Sequence, residues 1–224
     1  MKRLVAFLFS GLLVSCSAAG HASTPATEKQ RGEALDAVAH YSVPVTAWEL
    51  SPAEEGDDGG AALAAQPPGY AYAYTAATVP TTVVAALDAA GAFGPEPLYR
   101  GTNLRDNVDA TQFATPWRFR ACPALPAPLS GATPRCVLEF EGLNYRADVW
   151  VNGAAVASSA DLAGPFRHFR VDITAAVAAA ADPSAESGDS VDVTPCIVVE
   201  LAKPVDDYWT RNATDLAFSV PINS

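Results

Sequence analysis

Few side chains in this sequence have the type and spacing that catalysis requires. Of the histidines, His40 and His168 lie outside the first 22 residues, and neither has a second His or Cys at ligand spacing, so no zinc site is expected. Ser158 or Ser159 with His168 and Asp172 spells a nucleophilic triad by letters alone. No strand-turn-helix elbow of the Gly-x-Ser-x-Gly kind supports it. Glycine-rich phosphate loops are absent. The carboxylates Glu139 and Glu141 are the more serious pair, since double-displacement hydrolysis of a glycosidic bond uses two carboxyls about 5–5.5 Å apart. Two residues apart on one strand they project the same way, roughly 6.5–7 Å from each other. Such a pair cannot flank a scissile bond from opposite sides. It reads as the solvated side of a strand, and the sequence offers no catalytic residue, metal site or cofactor site.

The elements around these residues are clearer than their chemistry. Leu138 and Phe140 alternate with Glu139 and Glu141, the period of a strand with one buried face. In Ala147-Asp148-Val149-Trp150-Val151 the two valines share a face, and Asn152-Gly153 follows at once. Both turn residues tolerate the positive φ of a type I′ hairpin. Arg167-Phe169-Val171-Ile173 alternates with His168, Arg170 and Asp172. Three short strands separated by Gly-bearing loops indicate a β-sandwich. Upstream, Thr46, Trp48 and Leu50 begin a strand, residues 51–69 form a surface loop, and Tyr70, Tyr72 and Tyr74 give a strand with one aromatic face. A short helix follows, with Thr78 or Thr81 as cap, Pro80 in the first turn, Val83, Val84 and Leu87 on the apolar side, and Gly91 at the end. Thr174 caps one or two turns over residues 175–181, and Ile197-Val198-Val199-Glu200-Leu201 is a buried strand.

The pieces NYRADVWVNG and GPFRHFRVDIT carry a resemblance. So do Val79-Pro80-Thr81-Thr82-Val83, and Tyr99-Arg100-Gly101-Thr102-Asn103-Leu104 ahead of Pro116-Trp117. Together, in order, they resemble the N-terminal sugar-binding jelly-roll domain of family 2 glycoside hydrolases, in the exo-β-glucosaminidase and β-mannosidase-like branch. The likeness covers roughly residues 45–203, and Tyr74 stands near a position where that family carries a Trp. It implies an all-β, galactose-binding-like sandwich with one or two short helices. It also implies that the catalytic glutamates belong to a separate (β/α)₈ barrel, that residues 99–104 lie near the mouth of that barrel, and that Asn103 can approach the terminal sugar. A side-chain amide both donates to and accepts from hydroxyls, which suits that task; a turn-shaping role for Gly101 and Asn103 is the alternative. The Asp-Trp-Asn-Pro-like and Asn-Met-Gly pieces of the family are not found near Phe218-Ser219-Val220-Pro221.

Composition sets the remaining bounds. The 224 residues, half of them hydrophobic, suit one domain with tails. A formal charge of −11 argues against nucleic acid or an anionic membrane as partner. Lys2 and Arg3, the run LVAFLFSGLLVSC and small residues after it read as a secretory signal over residues 1–22. Leu13-Val14-Ser15-Cys16 also fits a lipoprotein box with Cys16 as the lipidated residue. Residues 23–44 read as linker and 204–224 as an incomplete tail, with Asn212-Ala213-Thr214 an N-glycosylation sequon. Cys122 and Cys136 flank a Pro-rich connection and are expected to pair across a hairpin, with Cys196 a buried free thiol. The expected protein is a secreted, non-catalytic sugar-binding domain of an exo-glycosidase acting on terminal β-linked glucosamine or mannose. It would be extracellular, or periplasmic or lipid-anchored, with a carbohydrate partner. The alternatives are a stand-alone carbohydrate-binding module, with the tyrosine strand and Trp150 as stacking candidates, and a structural β-sandwich without sugar affinity.

Overall fold

The computed structural model describes residues 8–19, 38–53, 60–67, 75–125, 135–164, 167–179 and 194–202. In chain order the strands are β1 (Leu8–Ala19), β2 (Val38–Pro44), β3 (Ala47–Pro52), β4 (Thr75–Thr78), β5 (Thr81–Thr82), β6 (Trp117–Ala121), β7 (Arg135–Asn144), β8 (Ala147–Val151), β9 (Ala154–Ala157), β10 (Phe169–Asp172) and β11 (Ile197–Leu201). Four short helices join them: α1 (Ala61–Ala64), α2 (Val83–Ala89), α3 (Asn103–Asn107) and α4 (Thr174–Ala178). One sheet runs β10-β7-β1-β2, with β5 also on β1; the other runs β4-β3-β6-β11-β8-β9. All pairings are antiparallel. This is the expected all-β sandwich, with three more helical segments than the sequence suggested: α1, α3 and a 3-10 turn at Ala110–Phe113.

Alternation places the core between the sheets. Leu12, Val14, Leu138, Phe140 and Val171 point inward from the first sheet, and Trp48, Leu50, Phe119, Val149, Val151, Ile197 and Val199 from the second. The Trp48 indole meets Phe119 edge to face at 6.3 Å and donates to the Val45 carbonyl, so its polar edge is satisfied inside the core. At α2 the cap is Thr82, whose hydroxyl accepts from Ala85 N, rather than the expected Thr78 or Thr81.

Val38–Pro44, assigned to the linker, is instead a strand of the first sheet, beside a strand at Leu8–Ala19 from the segment read as a leader. The cysteine pairing also needs correction. Cys122 does not pair with Cys136, because β6 and β7 belong to different sheets rather than to one hairpin. β6 lies beside β11 with Ala121 opposite Ile197, which brings Cys122 to Cys196, and the β1–β7 register sets Cys16 opposite Cys136. Both pairs are disulfides, so Cys196 is not a free thiol and the Cys16 sulfur is engaged. They close loops of 74 and 120 residues, and in the chain-entropy model each contributes about 4–5 kcal/mol. The tyrosine run at 70–74, the sequon at Asn212 and the 204–224 tail lie outside the described residues.

The outer face of the second sheet is covered as well. Arg120, 2% exposed, donates to the carbonyls of Leu63, Gln66 and Pro67 and to the Glu49 carboxylate, tying residues 60–67 across the strands. Trp150 and Val198 pack under α1 with Leu63 and Ala64. Gly60 sits against the Trp150 ring, where a Cβ would lie 3.2 Å from Cε3. Beside Arg120, Arg118 pairs with Glu200 at 2.6 Å.

Asn152 joins three elements. With φ of 50° it and Gly153 (84°) turn β8 into β9, as the Asn-Gly pair requires. Its Oδ1 accepts from Cys196 N at 2.9 Å, and its amide donates to the Ala176 carbonyl at 3.0 Å. Asn152→Ala removes both bonds and leaves a Cβ-bearing residue at positive φ, so urea unfolding should show a loss of about 2–4 kcal/mol. Asn152→Gly, which restores only the turn, should lose less. Non-reducing peptide mapping of the full chain, residues 1–224, should return Cys16–Cys136 and Cys122–Cys196; a Cys122–Cys136 peptide would contradict the two-sheet placement.

Candidate functional site

Several of the residues that sequence suggested for chemistry are engaged in structural contacts. Glu139 and Glu141 both face away from the core, and Glu139 binds Arg170 at 2.8 Å. The Ser158 hydroxyl donates to Asp161, and Ser159 N donates to Asp148. Asp172 accepts from Thr174 N and from Arg135. His40 and His168 are exposed. Among the described residues no three His, Cys, Asp or Glu side chains are grouped to hold a metal ion.

The segment around Asn103 is the most pre-shaped surface feature. Buried Leu98 anchors its start and buried Val108 and Phe113 its end. Phe113 stacks on Trp117 at 6.0 Å, and the Trp117 indole donates to the Gln112 carbonyl, fixing this end to β6. Between the anchors, Gly101 turns the chain at φ 57° and α3 begins. The Asn103 amide donates to the Pro97 carbonyl at 2.9 Å, and Arg100 N donates to the same oxygen at 3.1 Å. Asn103 therefore closes the loop on itself while half-exposed, which unites its turn-shaping role with an accessible amide. Next to it the ring of Tyr99 is 88% exposed, and Leu104 is the other large exposed apolar side chain among the described residues. Sequence reasoning placed Tyr99 in a motif without singling it out. Its immediate neighbours Leu98 and Arg100 give no alternation that marks an outward ring.

Charge holds the turn after Asn103. The Asp106 carboxylate accepts from Arg105 Nε at 2.8 Å and from the Thr102 hydroxyl. The Arg105 hydrogen bond, then the Thr102 one, hold its carboxyl below the usual Asp range. A depressed folded pKa means that this contribution is present above the ordinary Asp value and lost as pH falls through the folded value. An NMR titration should give Asp106 a midpoint below that of an ordinary Asp, with amide exchange across residues 102–107 rising over the same acid range. Asp106→Asn should raise exchange there at neutral pH and remove that acid step. Asn103→Ala should speed exchange over residues 97–103 while changing global stability by less than about 1 kcal/mol, because the loop lies outside the core.

With the fold and this loop defined, similarity to known proteins becomes informative. The glycosyl hydrolase 2 galactose-binding-domain-like family matches residues 48–193. The exo-β-D-glucosaminidase of Streptomyces avermitilis is 31% identical over 154 residues, 68% of this chain and 15% of the relative. That of Hypocrea virens is 30% identical over 175 residues, 78% of this chain and 18% of the relative. The crystal structure of the Amycolatopsis orientalis exo-chitosanase CsxA superposes with a TM-score of 0.54 at 26% identity, over 73% of this chain and 17% of that one. The chain thus spans less than a fifth of the length of these relatives. The matched residues take in β3 to β10, the loop bearing Asn103 and the Asn152 turn, and the chain belongs to the galactose-binding-domain-like family of glycosyl hydrolase 2.

Proposed function

We propose that this chain is the non-catalytic, sugar-binding domain of a secreted exo-glycosidase that removes terminal β-linked glucosamine. The observation that carries the reading is the coverage of its relatives. Proteins named exo-β-D-glucosaminidase match most of this chain but only 15–18% of their own length, so most of each relative lies outside the matched domain. The structural engagement of Glu139, Ser158 and Asp172 agrees with this, since a reacting group must be free to meet substrate. Terminal mannose, the other sugar suggested by the sequence pattern, has no counterpart in the names of these relatives.

The loop over residues 97–104 is the proposed contact. In this reading the Asn103 carbonyl and its second N–H meet sugar hydroxyls while the first N–H holds Pro97, and the exposed Tyr99 offers an apolar face for the C–H side of a pyranose. Protonated amino sugars would meet an acidic protein of charge −11, which favours encounter at low salt. Secretion rests on the Lys2-Arg3 start and the apolar run after it. Lipid anchoring through Cys16 would need the sulfur that bonds Cys136 in this structure.

Calorimetric titration of the folded chain with glucosamine, mannose and chitosan oligomers tests the reading. Saturable binding to the glucosamine series, weakened several-fold by Tyr99→Ala and by Asn103→Ala, is expected, without release of product. Equal affinity for mannose would overturn the sugar assignment. Hydrolysis by the chain alone would overturn the non-catalytic one.

A further inference from the structure

β1 is at once an export leader by sequence and an inner strand by structure. It lies between β7 and β2, with Cys16 opposite Cys136 on one side and opposite Tyr41 on the other. Leu12, Val14 and Cys16 reach the core from it, all nearly inaccessible. Yet the family match begins at residue 48, so β1 lies outside the part of the chain that defines the family fold. Removal of the first 22 residues would strip the facing backbone groups of β7 and β2 of their partners and open the core at Leu138 and Phe140. A sheet with such a gap accepts a strand.

The gap specifies its occupant. Three apolar residues must enter at alternate positions, the residues between them, here Leu13 and Ser15, lie on the other face, and the strand must run antiparallel to both neighbours. Residues 215–220, Asp-Leu-Ala-Phe-Ser-Val, meet the pattern: Leu216, Phe218 and Val220 alternate with Ala217 and Ser219, and Pro221 ends the run. Aligned on β1, Leu216 replaces Leu12, Phe218 replaces Val14, Ser219 replaces Ser15, and Val220 replaces Cys16 opposite Cys136. From the end of β11 at Leu201 the connecting chain can extend about 45–50 Å, against about 10 Å between packed sheets, so reach is no obstacle. The tyrosine run at 70–74 also alternates, but it leads directly into β4, which is already paired with β3 in the other sheet. We propose that the space between β7 and β2 is a strand-docking slot, filled here by the leading segment and taken by residues 215–220 when that segment is removed.

The full chain carrying Leu12→Asp, Val14→Asp and Cys16→Ser has the slot emptied without truncation. It should remain a cooperatively unfolding monomer. With Val220→Cys added, non-reducing peptide mapping should find position 220 bridged to Cys136, whereas Ser219→Cys, on the outward side, should give no such bridge. In a chain with β1 intact, Val220→Cys should leave Cys16–Cys136 in place. Adding Phe218→Asp to the slot-emptied chain should abolish cooperative unfolding. If the slot-emptied chain unfolds by itself, folds only as an oligomer, or bridges equally from position 219, residues 215–220 do not fill the slot and the proposal fails.

Discussion

The structure depends on keeping β7 paired along both edges. Its inward side chains, Leu138 and Phe140, complete the core only while β10 and β1 hold it flat over the second sheet. An unpaired edge there would cost the ladder hydrogen bonds and admit water beside the aliphatic residues of β8 and β11. The disulfides serve the same end. One ties β1 to β7 within a sheet, and the other fastens the end of β6 to the residue before β11. Asn152 then links that second fastening to the β8–β9 turn and α4.

The pieces of the fold that were legible in the sequence are those where one face is wet. Leu138-Glu139-Phe140-Glu141 and Phe169-Arg170-Val171-Asp172 alternate because solvent reaches one side, and both are strands. The Asn-Gly turn was legible because few residue pairs accept two positive φ values. Pairing was not legible, since alternation says which way a side chain points and nothing about which strand lies next door. Cys122 and Cys136 looked like partners only under the assumption of a hairpin. The leading segment was ambiguous for a related reason. A short apolar run such as Leu12-Leu13-Val14 has the composition of both a leader and a buried strand. Residues 60–67 misled in the opposite direction, because the Arg120 guanidinium that binds their carbonyls comes from more than fifty residues away.

Around Asn103 what could be read was the turn: Gly101 takes a positive φ and the Asn103 amide ties back to Pro97. The choice of Pro97 as partner and the exposure of Tyr99 could not be read, because both depend on a loop path without periodicity. A polar hollow of about 360 Å³ lies on the outer face of the first sheet, lined among others by Ser15, His40, Arg135, Arg170 and Asp172. Both of its arginines are paired with carboxylates, and among the described residues that line it there is no Phe, Tyr or Trp, which makes it the poorer platform for a sugar.

The location of recognition is therefore the point on which the functional reading turns. Hydrogen exchange of the full chain with and without a saturating chitosan oligomer would decide it. Protection concentrated at residues 97–107, with the Ser15–His40–Arg170 hollow unchanged, is the expected result. Protection centred on that hollow, or none in a chain that remains folded, would contradict it.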